Sequence, residues 1–146
     1  MLQTLIIDDE AHIRDTLSKM LLKFCPQVKP AGVATGVASG IQAISNLHPD
    51  LVFLDINLGD GNAFDLLHAI RNFDFRVIFI SSFNNEAIRT MKKSGIDFLQ
   101  KPFNPSDLVE IVKKSELSDE ADKTTQIEVL ENSLGFGKRR VEGKGK

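Results

Sequence analysis

Three aspartates, a serine and a lysine in this chain stand at the ends of short apolar runs. Leu5-Ile6-Ile7 leads into Asp8-Asp9 and Leu51-Val52-Phe53-Leu54 into Asp55. Val77-Ile78-Phe79-Ile80 leads into Ser81-Ser82, and Phe98-Leu99-Gln100 into Lys101-Pro102. Clustered carboxylates repel one another unless a cation or a proton intervenes. Mg2+ suits them, as a hard ion that takes oxygen ligands and keeps several waters. A carboxylate can also accept a phosphoryl group as an aspartyl phosphate. A lysine contributes a point charge to a phosphoryl oxygen, and a serine hydroxyl a neutral donor. The chemistry expected is Mg2+-dependent phosphoryl transfer, in which positioning and charge neutralisation supply most of the catalysis. Asp55 is the expected nucleophile. Asp8, Asp9 and Asp55, with the backbone carbonyl of Asn57, are the expected metal ligands, and Ser81 and Lys101 the phosphoryl contacts.

These residues can meet only if the apolar runs are parallel strands with their carboxyl ends on one rim, where open α/β sheets place their ligands. The intervening segments support this. Ile13, Leu17, Met20, Leu21 and Phe24 recur at helical spacing, and Pro26 stops that helix. Residues 29–34 read as an edge strand, because Pro30 removes a ladder donor. Val37, Ile41, Ile44 and Leu47 mark a second helix. Phe64, Leu67, Ile70 and Phe73 mark a third, and a fourth spans about 85–94 before Gly95. Pro105 opens a fifth, carrying Leu108, Ile111 and Val112. Strand and helix thus alternate, with strand 96–100 the last. The spacing predicts an α/β, doubly wound, five-stranded parallel sheet. Right-handed crossovers leave a few strand orders, of which 2-1-3-4-5, the flavodoxin-like (βα)5 arrangement, brings the acidic strand ends together. Strands 1 and 3 are neighbours in that order, so Asp8-Asp9 should face Asp55.

Bulk properties narrow the classes further. The 146 residues suit one domain with an appendage. A net charge of −2 leaves no overall electrostatic footprint for nucleic acid. No apolar stretch nears the roughly 20 residues that span a bilayer, the N-terminus lacks the pattern of a signal peptide, and Cys25 has no partner for a disulfide. Together these predict a cytoplasmic protein with no membrane association. Cys25 reads as a small apolar residue near a helix end. Glycines 32, 36 and 40 lack a P-loop or dinucleotide pattern and read as loop and close-packing positions. His12, His48 and His68 show no ligand spacing. Residues 116–146 read as a linker or tail, partly disordered, with a short turn of structure at Ile127, Val129, Leu130 and Leu134 and a solvated basic cluster at Lys138-Arg139-Arg140.

The set Ile-Ile-Asp8-Asp9-Glu10, Leu-Asp55-Ile-Asn57-Leu, Ile-Ser81-Ser82 and Lys101-Pro102-Phe103 resembles the receiver domain of bacterial two-component response regulators, over residues 1–115. That resemblance implies phosphorylation of Asp55 by a sensor histidine kinase, with Mg2+ held by Asp8, Asp9 and Asp55. Ser81 would be the switch hydroxyl, Lys101 the phosphoryl-binding lysine and Phe98 the switch aromatic. The Ser81-to-Lys101 interval and the Asp60-Gly61 turn are similar to regulators carrying LytTR-type DNA-binding domains, although Gly59 stands where a proline is common. DNA contact is expected only through an effector domain absent from these residues. The output surface, and a homodimer contact, are expected across 85–114.

Simpler readings exist for the single residues. Asp8 and Asp9 could cap the first helix, Ser81 could cap another, and Phe98 could be plain core. Two further classes stand beside the switch: an aspartyl-phosphate phosphohydrolase, and a pseudo-receiver that binds partners without phosphoryl chemistry. The hydrolase is disfavoured by Asn57, which lies where a second acid would be needed. The pseudo-receiver is disfavoured because the acid–hydroxyl–lysine set is complete. As a switch the chain is expected to accept a phosphoryl group and slowly lose it again without being an enzyme, and as a pseudo-receiver to do neither; the hydrolase reading alone makes it an enzyme.

Overall fold

The computed structural model describes residues 1–71, 73–117 and 124–136. Five strands, β1 (Leu2–Ile7), β2 (Val28–Ala34), β3 (Leu51–Asp55), β4 (Arg76–Ser81) and β5 (Phe98–Gln100), form one parallel sheet of order β2-β1-β3-β4-β5. The connecting helices are α1 (Ala11–Phe24), α2 (Val37–Leu47), α3 (Ala63–Ile70) and α4 (Asn85–Ser94), with α5 (Pro105–Leu117) after the last strand. The expected doubly wound sheet and its strand order are therefore observed.

The central strands are apolar on both faces because helices cover both. Leu5, Ile7, Val52, Leu54 and Phe79 face one core with Phe64, Leu66, Ile88 and Met91. Ile6, Leu51, Phe53, Ile78, Ile80 and Leu99 face the other, with Leu17 and Leu21 of α1 and Leu108 and Val112 of α5. At the β2 edge Thr4 pairs with Pro30 but Leu5 with Gly32, so Ala31 is an extra residue. A bulge of this kind accommodates the donor that Pro30 lacks.

Local chemistry sets the helix ends. Cys25 is buried and its N–H donates to the Leu21 carbonyl at 2.9 Å, closing α1. Asn84 caps α4 by accepting the Ala87 N–H at 2.9 Å, and Gly95 closes that helix at φ 77°. Asn62 caps α3, its Oδ1 accepting the N–H groups of Phe64 and Asp65 at 2.8 and 3.0 Å. One expectation is corrected here. Phe73 does not lie on the third helix, which stops at Ile70; Arg71 turns the chain at φ 60°, and Phe73 stacks on Phe75 at 4.8 Å between centroids.

Beyond α5 the chain forms a sixth helix, α6 (Thr124–Ser133), which packs on α4. Leu130 is fully buried in the first core, and Ile127, Leu134 and Phe136 pack against it. Part of the segment read as a linker or tail is thus helix with a core-facing side. The basic cluster Lys138-Arg139-Arg140 lies outside the described residues. Among the described residues no helix is long and apolar enough to cross a membrane.

Candidate functional site

The site is built where β1, β3, β4 and β5 end. Parallel register sets Ile7 beside Leu54 and Asp55 beside Ile80, while Ser81 pairs with Gln100. The residues that follow each strand therefore share one rim. Asp8, Asp9 and Asp55 come together there: one carboxylate oxygen from each lies within 4.8 Å of the others. Asp8 and Asp55 are buried, whereas Asp9 is exposed. Backbone bonds fix Asp8 in place. Asp8 Oδ1 accepts the Glu10 N–H at 2.9 Å, Arg14 Nη1 donates to the Asp8 carbonyl at 2.8 Å, and the Asp8 N–H donates to the Ala34 carbonyl at 3.1 Å.

Lys101 reaches back across the rim into this cluster. Its Nζ lies 2.8 Å from Asp8 Oδ2, 3.2 Å from Asp55 Oδ2 and 3.2 Å from Glu10 Oε1. Its peptide bond to Pro102 is cis, and its N–H donates to the Ser81 carbonyl at 2.8 Å. Burial, and then the charge of Asp8, pushes the Asp55 carboxyl up to about 7, against the opposing pull of Lys101 and the Asn57 N–H. Burial alone would lower the Lys101 ammonium, but its bonds and charges with Asp8 and Asp55 outweigh that and raise it. The cluster thus carries more negative charge than one lysine neutralises.

Ser81 ends β4 at 1% exposure, and its Oγ accepts the Phe83 N–H at 2.9 Å. Asn57 is exposed and donates its N–H to the Asp55 carboxylate; it pairs with Asn62 in a two-residue antiparallel ribbon, Asn57–Leu58 against Gly61–Asn62. Phe98 is half-buried on β5 opposite Phe79 and packs against the first core.

Three contributors escaped the sequence reading. Glu10 joins Lys101, and its adjacency to Asp8-Asp9 was the available signal. Asp60 accepts the Val37 and Ala38 N–H groups at 2.8 and 3.2 Å, tying the loop after Asp55 to the start of α2. Those bonds hold the Asp60 carboxyl below its usual range. His68 on α3 lies 2.8 Å from buried Glu131 on α6, a pair 63 residues apart that no local pattern reveals.

A five-stranded sheet with this rim of acids and a returning lysine defines a receiver-type α/β domain. The response regulator receiver domain family matches residues 4–113, and the chain belongs to it. The chain is 30% identical over 137 residues to the sensory transduction protein LytT of Bacillus anthracis, covering 92% of this chain and 54% of that one. It is 33% identical over 116 residues to the chemotaxis protein CheY of Thermotoga maritima, covering 77% and 95%. The receiver domain of Erythrobacter litoralis PhyR superposes with a TM-score of 0.67 at 24% identity, over 83% of this chain and 94% of that one, a likeness of fold. The chain spans about half the length of the LytT relatives it matches. It is a receiver domain of two-component signalling, consistent with the LytT-containing group.

Proposed function

We propose that the domain is a phosphorylation switch in which Asp55 accepts a phosphoryl group from the phosphohistidine of a sensor kinase. The observation that carries this reading is the convergence of Asp8, Asp9 and Asp55 within 4.8 Å, with the Lys101 ammonium 3.2 Å from Asp55. Three hard oxygen donors, one of them exposed so that waters can complete a shell, fit Mg2+. Asp8, Asp9 and Asp55 would hold it, with the Asn57 carbonyl. When bound, it supplies charge that neutralises the acids and the incoming phosphoryl oxygens.

The chain's own residues do the rest. An Asp55 carboxylate oxygen attacks phosphorus, a P–O bond forms, the P–N bond to the kinase histidine breaks, and the imidazole keeps the electron pair and takes up a proton. Lys101 leaves its three-acid contact to bind a phosphoryl oxygen, and Ser81 donates its hydroxyl to another. Asn57 offers no carboxylate to activate water, which supports a switch over a phosphohydrolase. Phe98 and the surface of α4, β5 and α5 would carry output, including a contact with a second copy. The domain would work in the cytoplasm, and DNA would be reached only through an effector domain. The residue range 1–115 is the proposed receiver unit.

Incubation with Mg2+ and acetyl phosphate followed by intact-mass measurement tests the reading. A single lasting phosphoryl adduct, absent from Asp55→Asn, is expected. Acetyl phosphate turnover with no adduct would point to the hydrolase, and neither adduct nor turnover to a pseudo-receiver.

A further inference from the structure

The strongest feature outside the acidic rim is the docking of α6. This helix is not an isolated appendage. Leu130 is fully buried in the core that also holds Ile88 and Met91 of α4, on which α6 packs, while Val129, one position away, is 51% exposed. Glu131, only 4% exposed, meets His68 of α3 at 2.8 Å. Phe136 lies 5.6 Å from Phe64 between ring centroids, and Phe64 lies 5.8 Å from Phe79. Phe79 is on β4, two residues before Ser81. A continuous series of packed rings therefore runs from the C-terminal segment to the strand that carries the serine.

A second connection runs through the β4–α4 loop. Ser81 Oγ accepts the Phe83 N–H at 2.9 Å, and the Phe83 side chain packs on the same core as Leu130, Ile127 and Leu134. A hydroxyl accepts and donates at once. A pull on Ser81 from the rim is therefore passed to the Phe83 amide and to the start of α4, the helix on which α6 sits.

We infer that α6 is a strap seated on the α3–α4 face, and that its seat is coupled to the Asp55–Ser81 centre, so that phosphorylation unseats it. The α3–α4 face then becomes a conditional surface, closed by residues 124–136 of the same chain in the resting state. This places a response on the opposite flank of α4 from the α4–β5–α5 output face. The inference rests on the phosphorylation switch proposed above. The strap and the phosphoryl group are two binding events sharing one two-state element. Their coupling is reciprocal: if the phosphoryl group weakens the seat, loosening the seat strengthens binding at the rim by the same factor.

The test uses the whole chain with Mg2+ and beryllofluoride, a non-transferable phosphoryl mimic, and follows amide hydrogen exchange across 126–134. The expected result is exchange faster by about tenfold, the scale of an ordinary coupling free energy, in wild type but not in Asp55→Asn or Ser81→Ala. Leu130→Ala, and the milder His68→Ala should the former fold poorly, are expected to bind beryllofluoride more tightly by a similar factor. Beryllofluoride bound at the rim with unchanged exchange across 126–134, or with affinity unaltered in both variants, overturns the strap. If wild type neither binds beryllofluoride nor gains a phosphoryl adduct, the switch reading itself has failed, and the coupling fails with it.

Discussion

Lys101 Nζ sits 3.2 Å from Asp55 Oδ2 although 46 residues separate them, and both side chains are nearly buried, at 10% and 8% exposure. The lysine is the resting counter-charge of the acid it would later help to phosphorylate. The same ammonium touches Asp8 and Glu10. Any cation or phosphoryl group that enters the rim therefore rearranges a bond that already exists.

The pH dependence of stability follows from that crowding. An acid whose folded pKa rises from 3.8 to about 7 makes the folded state bind the extra proton between those values. Stability from Asp55 is therefore fully present below about pH 4 and is lost as pH rises towards 7. The stabilisation from the raised Lys101 ammonium is fully present below its ordinary value of 10.5 and is lost only as pH rises beyond it, so its ionisation adds no slope between pH 5 and pH 8. Urea midpoints measured at pH 5 and pH 8 should fall for wild type and change less for Asp55→Asn. A wild-type decline no steeper than that of Asp55→Asn would remove Asp55 as the cause. Lys101→Met leaves buried acids without their cation and should cost about 3 kcal/mol or more at pH 8, and less at pH 5.

Metal binding should separate Asp9 from Asp8. Asp9 is exposed, so Asp9→Asn is expected to weaken Mg2+ while leaving the urea midpoint within experimental scatter. Asp8 is fully buried against Lys101, so Asp8→Asn removes an ion pair as well as a repulsion, and the midpoint should move. Mg2+ titration by NMR checks this, and proton release on binding should be larger at pH 6 than at pH 8, because Asp55 must give up its proton. Equal stability changes in the two variants would contradict the assignment of Lys101 to Asp8.

Asp60 and Gly36 form a coupled pair at the loop that follows Asp55. A Cβ at Gly36 would meet Asp60 Oδ1 at 2.5 Å, so Gly36→Ala should displace the carboxylate from the Val37 and Ala38 amides. Asp60→Ala loses the same bonds directly. The double variant should then be less destabilised than the sum of the singles. The Asp60 pKa is depressed, so its stabilisation is present above the ordinary value of 3.8 and lost as pH falls below it. Thermal melts of the four proteins at pH 7 and pH 3 give the answer. Simple additivity would show that the two residues act apart.

The docked helix makes a sharp contrast between adjacent residues. Leu130→Ala removes a fully buried side chain and should cost about 2–5 kcal/mol, whereas Val129→Ala, half-exposed, should cost far less. Urea unfolding of the two variants measures the difference. Equal, small effects would mean that α6 contributes nothing to the fold in solution.

Much of this molecule is legible in its sequence, for a physical reason. Parallel strands covered on both faces must be apolar throughout, so Leu51–Leu54 and Val77–Ile80 announce themselves, and polar residues at their ends must lie on the rim. The right-handed crossover leaves few strand orders, and the observed one is the order that sets Asp8-Asp9 beside Asp55. Asp8, Asp9, Asp55, Ser81 and Lys101 could be named because each directly follows or ends such a run. Helix ends at Gly95 and Pro105 were likewise written in local backbone chemistry. Tertiary structure alone decided what depends on contact between distant segments. Arg71 ends α3 before Phe73 through a left-handed turn with no glycine to mark it. Glu10 meets Lys101 across 91 residues, and Asp60 meets Val37 across 23. Ile127, Leu130 and Leu134 are too few to build a core of their own, and they become core only because α3 and α4 leave an apolar face for them to cover. Periodicity reports how a segment can bury its own side; it carries no record of which other segment will be there to receive it.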